Sequence, residues 1–181
     1  MPNVKELKNK YDAIIIGSGG TGLTAALQAH ELGLNVVVLE KNEKTGGNTS
    51  RASSGMNASE SLVQLDEGII DNNQDFYNET LKGGGLLNDR AMLKYFVDHS
   101  AIAISWLMKY GVRLTDLTIT GGMSKKRAHR PGSMEPVGFY LTSRLTNQVK
   151  KSGVDIFTGA KVTKLLQDKS NKVNGVEVTT E

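Results

Sequence analysis

Apolar residues follow three kinds of pattern along this chain. Tyr11-Asp12-Ala13-Ile14-Ile15-Ile16 and Asn35-Val36-Val37-Val38-Leu39-Glu40 hold short, continuous β-branched runs. Such runs predict strands of a parallel sheet, buried on both faces. Between them Leu23, Ala26, Leu27 and Leu32 recur at helical spacing from Gly20 to Leu32, and Gly33 stands where a helix C-cap belongs. Strand, helix and strand within about 30 residues predict a βαβ unit. Residues 44–59 lose all hydrophobic period and are rich in Gly, Ser, Thr and Asn, which predicts a long irregular loop.

Helical patterns return over residues 66–82 and 89–110. Asp89 is the expected N-cap of the second helix, with Met92, Leu93, Phe96 and Val97 as its stripe and Gly111 as its end. Gly83-Gly84-Gly85 is the expected turn between the two, and Trp106 falls in the stripe as a core residue. Residues 112–138 read as loop with short strands around Leu114–Ile119. A helix over 139–152 capped by Gly153 and a strand at Val154–Phe157 follow. Val162–Leu166 and Val173–Thr179 alternate as a hairpin around Asp168–Lys172. The fold class expected is α/β: a Rossmann-like βαβ domain with inserted helices and an antiparallel β-hairpin.

Composition narrows the chemistry more than the fold. With 38% hydrophobic and 23% charged residues in 181, the chain has the balance of a folded domain. It has no cysteine, which removes disulfides, thiolate metal sites and thiol nucleophiles. Met1 to Lys10 is polar and charged, without the apolar stretch of a secretory signal. Ala13–Ile16 falls far short of the roughly 20 apolar residues a membrane span needs. No membrane association and a cytoplasmic location are therefore expected. Charge is uneven: residues 1–90 carry a net −4 and residues 91–181 a net +7. Lys125, Lys126, Arg127 and Arg130 form the densest basic cluster, read as a solvated surface loop. No nucleic-acid-binding module accompanies it, so no nucleic-acid partner is expected.

The chemistry begins at Gly17-Ser18-Gly19-Gly20-Thr21-Gly22, a match to G-x-G-x-x-G. It follows a predicted strand, opens a predicted helix, and has an acid, Glu40, at the end of the next strand. Gly17 permits the tight turn, Gly19 lets backbone approach a pyrophosphate, and Gly22 lets helix pack on strand. The helix N-terminus offers N–H groups and a positive dipole end to the phosphates. Glu40 suits ribose hydroxyls and opposes a 2′-phosphate, which leaves NAD or FAD. The polar stretch Lys44-Thr45-Gly46-Gly47-Asn48-Thr49-Ser50 then favours FAD, whose pyrophosphate, ribitol and ring need small residues and backbone alongside.

From Ile14 to Ser59, through Leu39-Glu40-Lys41, Gly46-Gly47-Asn48-Thr49 and Ser54-Gly55-Met56-Asn57, the chain resembles the soluble fumarate reductase flavoprotein family. That family lies within the succinate dehydrogenase/fumarate reductase flavoprotein superfamily. The likeness continues through Leu81-Lys82-Gly83-Gly84, Ser105-Trp106-Leu107 and Arg127-Ala128-His129-Arg130-Pro131. It implies an FAD-dependent oxidoreductase with Gly17, Gly19, Gly20, Thr21 and Gly22 on the pyrophosphate and Glu40 and Lys41 at the adenosine ribose. Gly47, Asn48 and Thr49 would line the pyrophosphate and ribitol, Ser54, Gly55 and Met56 the flavin ring, and Val162 the adenine. Asn48 stands where membrane-bound relatives carry a histidine linked to FAD, which implies non-covalent FAD.

The resemblance also implies fumarate, or a related dicarboxylate, as substrate of the full-length protein, with an unassigned electron donor. Urocanate reductase, ketosteroid dehydrogenase and aspartate oxidase chemistry remain open alternatives, as does a non-catalytic dinucleotide-binding module. The substrate-clamping residues of the family belong to segments expected after Glu181. Residues 1–181 are therefore expected to be an incomplete FAD-binding domain, with little reductase activity alone. No residue here is assigned as catalytic, and none as a metal ligand. Arg130, beside Pro131, receives a structural loop role, and His30 and His99 receive core or surface roles for want of a carboxylate or histidine at ligand spacing.

Overall fold

The computed structural model describes residues 7–133 and 135–180. It divides into two compact units, Met1–Arg51 with Leu141–Glu181, and Ala52–Tyr140.

The first unit carries the βαβ pattern. Strand β1 (Ala13–Ile16), helix α1 (Gly20–Glu31) and strand β2 (Val36–Leu39) follow one another as the sequence predicts. Gly33 ends the helix region with φ +78, a conformation open to glycine at little cost. Strands β1 and β2 pair in parallel, Ala13 opposite Val36 through Ile16 opposite Leu39. Strand β6 (Asp155–Phe157) adds in parallel on the far side of β2, giving the order β1-β2-β6. The central strand is buried along its whole length. On β1, however, Ile14 is 36% and Ile16 54% exposed, contrary to the expectation of a strand covered on both faces. β1 is an outer strand of this sheet, and Ile16 at its end lines an open groove with Gly17 and Glu40.

Val37, Leu39, Phe157 and Ala160 form a core cluster, with Tyr11, Val162, Val176 and Val178 packed against it. The hairpin of β7 (Ala160–Gln167) and β8 (Val173–Thr180) is present as expected, with a register shift between Val162 and Lys164. Helix α5 (Val137–Lys151) buries Leu145 and Val149.

The second unit corrects several expectations. Residues 66–82 do not form one helix: α2 (Leu62–Asp66) and α3 (Asn73–Gly83) are separate. Gly68, at φ +69, breaks the first, and the Asn72 side chain accepts the Asp75 N–H to start the second. Helix α4 (Arg90–Lys109) starts on the Asp89 cap, 2.9 Å from the Met92 N–H. Only one side of its stripe is core: Leu93 and Val97 pack with Phe76, whereas Met92 is exposed and Trp106 half-buried beside Tyr110.

The stretch read as a loop over 44–59 contains a 3-10 turn at Gly47–Arg51, in the first unit, and strand β3 (Met56–Asn57), in the second. Strand β4 (Asp116–Thr118) lies within the predicted 114–119 segment, but β5 (Ala128–Arg130) falls where a loop was expected. The three pair antiparallel in the order β3-β5-β4. The basic cluster is a solvated loop only in part: Lys125 and Lys126 are exposed, but Arg130 is half-buried in β5. Arg127 is fully buried, its guanidinium held by Asp71 and Glu79 and set 5.2 Å over the Phe76 ring. Paired acids make that burial tolerable, and single-sequence reading sees the charge without its partners.

Candidate functional site: a nucleotide groove in the first unit

The fingerprint glycines sit on the turn between β1 and α1. Gly17, at φ +97, donates its N–H to the Leu39 carbonyl at 2.7 Å, which ties the turn to the end of β2. A Cβ on Gly22 would lie 2.0 Å from the Gly17 carbonyl oxygen, so helix and turn approach as only glycine permits. Helix α1 begins after Gly19, which offers no side-chain cap. Its first N–H, from Gly20, is accepted by Thr49 Oγ1 at 3.1 Å. Gly19 also forms a parallel bridge to Gly46, which brings the 3-10 turn alongside the helix start.

Glu40 is buried at the end of β2, and its main chain is built into the sheet, N–H to the Phe157 carbonyl at 2.8 Å. Its carboxylate is fully engaged. Oε2 accepts the Ser18 N–H at 2.9 Å and the Ser18 hydroxyl at 2.6 Å. Oε1 accepts the Asn42 N–H and Asn42 Nδ2, each at 2.9 Å. Burial pushes the Glu40 pKa up, but these four donors outweigh it and hold the group below the usual glutamate value. The acid is therefore charged at neutral pH.

A groove of about 660 Å³ opens over this arrangement. Gly17, Ser18, Gly19, Glu40, Lys41, Asn42, Gly47, Asn48, Ala160, Lys161 and Val162 are among the residues that line it. The first unit thus brings together Gly17, Gly19, Glu40, Lys41, Gly47, Asn48 and Val162 of the expected site, with Gly20, Thr21, Gly22 and Thr49 at the adjoining helix start. Ser54, Gly55 and Met56 belong to the second unit. There Met56 pairs with His129, and a Cβ on Gly55 would lie 3.0 Å from the His129 carbonyl oxygen. Two participants escaped the sequence reading: Ser18 and Asn42. Ser18 occupied a variable position of the fingerprint, and the only signal for Asn42 was a side chain able to reach back two residues.

Polar side chains (Ser18, Glu40, Asn42, Asn48) and apolar ones (Ile16, Leu39, Val162) share the lining, over close backbone at Gly17 and Gly19. At Gly19 no side chain caps α1, and a Cβ there would lie in ordinary contact with Thr49 Oγ1 at 3.8 Å and the Gly46 carbonyl oxygen at 3.9 Å.

Relatives agree. An "NADH:fumarate oxidoreductase" of Klebsiella pneumoniae (strain 342) is 45% identical over 168 residues, covering 93% of this chain and 18% of the relative. A "fumarate reductase (cytochrome)" of Shewanella frigidimarina is 34% identical over 167 residues, covering 92% of this chain and 29% of the relative. The chain therefore spans less than a third of the length of either. Among solved structures, the open conformation of a flavocytochrome c3 fumarate reductase superposes with a TM-score of 0.89 at 29% identity, over 96% of this chain and 31% of that one. A 3-ketosteroid-Δ4-(5α)-dehydrogenase shares the fold, with a TM-score of 0.81 at 20% identity over 98% of this chain and 43% of that one. The family described as "FAD binding domain" matches residues 12–181, which takes in the turn, the acid and the hairpin, and the chain belongs to that family.

Proposed function

We propose that this chain supplies the flavin-binding part of an FAD-dependent fumarate reductase. The observation that carries the reading is the groove itself, where a charged, buried Glu40 faces the same space as the glycine turn. The relatives named for fumarate reduction supply the substrate class.

The chain's own residues bind and orient. The α1 N-terminus takes the pyrophosphate, with Gly47, Asn48 and Thr49 along it and the ribitol, Glu40 takes the ribose diol, and Val162 meets the adenine edge. Ser54, Gly55 and Met56 are assigned to the ring by family resemblance alone; small residues and backbone N–H groups beside a flavin favour negative charge on its reduced form. FAD held here, once reduced by an electron donor, would supply hydride to one carbon of an activated C=C bond. No proton donor is assigned to these residues, so the chain alone is expected to turn over little fumarate. With Asn48 at the position of a linking histidine, FAD is held non-covalently.

Titrating the purified 181-residue chain with FAD tests the reading. Saturable binding, with the flavin released intact by acid precipitation, supports it. A chain that binds no FAD overturns it. Substantial fumarate reduction with FAD and reduced viologen would overturn the expectation that these residues alone turn over little fumarate.

A further inference from the structure

Ser18 does more than fill a variable position of the glycine turn. It is fully buried, and all of its polar groups are hydrogen-bonded. Its N–H and hydroxyl both donate to Glu40 Oε2, at 2.9 and 2.6 Å. Its carbonyl accepts the Gly46 N–H at 3.0 Å, and its hydroxyl oxygen takes the same N–H at 3.3 Å. One side chain therefore joins the fingerprint turn, the acid after β2 and the Gly46-Gly47 segment.

We infer that Ser18 is a positioning residue for cofactor binding: its hydroxyl sets the Glu40 carboxylate toward the ribose diol and couples that acid to the Gly46-Gly47 backbone. This rests on the reading of the groove as an FAD site. The physical case is one of demand. A carboxylate accepts at about four lone-pair sites, and all four are used here by Ser18 and Asn42. A ribose diol must share or displace two of these donors. Backbone N–H groups of Ser18 and Asn42 are fixed by the fold, so the exchangeable donors are the Ser18 hydroxyl and the Asn42 amide.

The two side chains are not equivalent in that exchange. Asn42 is exposed and can swing into solvent, freeing Oε1 for the diol. Ser18 is enclosed and stays, keeping Oε2 anchored and the carboxylate plane fixed. Its bond is charge-assisted, the strong kind, and it favours the ionised acid that the diol needs as an acceptor. The hydroxyl oxygen, polarised by donating to that acid, in turn receives the Gly46 N–H and holds the segment that meets the pyrophosphate.

The test is FAD titration of the 181-residue chain between pH 8 and pH 5 in four forms: wild type, Ser18→Ala, Glu40→Gln and the double variant. Ser18→Ala is expected to weaken FAD binding about ten-fold at pH 8, the scale of one lost charge-assisted hydrogen bond. Its affinity should fall further toward pH 5, because Glu40 without the hydroxyl protonates at higher pH than in the wild type. In the Glu40→Gln background the same substitution should change affinity by less than about two-fold, since the charged acceptor is gone. Carbon NMR of the Glu40 carboxyl, read without FAD, should show its titration moved upward in Ser18→Ala. An equal loss in both backgrounds with a flat pH profile would make Ser18 a general packing residue and overturn the inference. Unchanged Glu40 titration would do the same. Wild-type chain that binds no FAD would overturn the cofactor reading and this inference with it, whereas wild-type binding with an inert Ser18→Ala overturns the inference alone.

Discussion

Arg127 and Asp71 form a bidentate ion pair with no solvent at either side chain, Nε to Oδ2 at 2.7 Å and Nη2 to Oδ1 at 2.6 Å. Glu79 takes the remaining Nη1, and Ser124 donates to Glu79 in turn. Two acids from the α2–α3 region thereby hold the segment that leads into β5. The pair is a clamp on the second unit, and its strength shows when one member is removed.

Arg127→Met leaves two carboxylates beside a buried apolar surface with no cation. Breaking such a pair one-sidedly costs on the order of 3–5 kcal/mol. Urea unfolding followed by the fluorescence of Trp106, the sole tryptophan, should show that loss. The double variant Arg127→Met with Asp71→Leu should recover part of it, because the more deeply buried stranded charge is gone. A single variant as stable as the wild type would mean the clamp holds nothing.

His129 gives the second unit a pH dependence of calculable sign. Its ring is fully buried: Nδ1–H donates to the Arg127 carbonyl at 2.7 Å, and Nε2 accepts the Ser61 hydroxyl at 2.7 Å. The Ser61 oxygen meanwhile accepts the Gln64 N–H of the capping box. Burial lowers the His129 pKa from its ordinary 6.5, and the hydrogen bonds that raise it do not compensate. The unfolded chain then binds the proton more readily than the folded one. This contribution is complete above about pH 6.5 and is lost progressively as pH falls below it. The depressed acids Glu40, Asp71 and Glu79 add their own losses only further down, below their usual carboxylate range. Urea midpoints measured from pH 7.5 to pH 5 should fall for the wild type and change far less for His129→Asn. Parallel slopes would assign the effect elsewhere.

The parts legible in the sequence were those carried by local pattern. The β1–α1–β2 run announced itself through Ile14 to Ile16, Leu23 to Leu27 and Val36 to Leu39, because period and glycine punctuation are encoded within a few residues. The Gly17 to Gly22 turn and Glu40 were legible for the same reason. What stayed hidden depends on partners far along the chain. Arg127 reads as a surface charge until Asp71 and Glu79 arrive 56 and 48 residues away. Strand β5 is only three residues long and is defined by pairing with β3 and β4, which no local period reveals. Ser18 stands in the very motif that was read, yet its role appears only when Glu40 folds back onto it.

Thr49 stands in for the cap that Gly19 does not provide. Its hydroxyl oxygen accepts the first N–H of α1, so Thr49→Val removes the acceptor and keeps the shape. A lost N-terminal cap costs on the order of 1 kcal/mol. Thermal melts of the FAD-free chain should show a small, definite drop for Thr49→Val and a smaller one for Thr49→Ser, which retains the oxygen. If Thr49→Ser melts as low as Thr49→Val, the methyl rather than the hydrogen bond is what matters.

Two glycine-to-alanine substitutions should move stability in opposite directions. At Gly22 the new Cβ would sit 2.0 Å from the Gly17 carbonyl oxygen and 3.0 Å from its carbon. Both are backbone atoms of the turn, itself tied to β2 through the Gly17 N–H, so neither can yield without moving the sheet. Overpacking of this kind costs on the order of 1–3 kcal/mol or more, and it displaces the α1 N-terminus from the groove. At Gly83, the last residue of α3, a Cβ meets nothing within 4 Å. Alanine there removes freedom from the unfolded chain and should add about 0.5 kcal/mol. Circular dichroism melts of the two variants, with FAD titration of Gly22→Ala, separate the cases: Gly22→Ala should melt early and bind FAD poorly, and Gly83→Ala should melt at or above the wild type. A Gly22→Ala chain with wild-type melting and affinity would show that the turn and the helix are not locked together as the 2.0 Å approach requires.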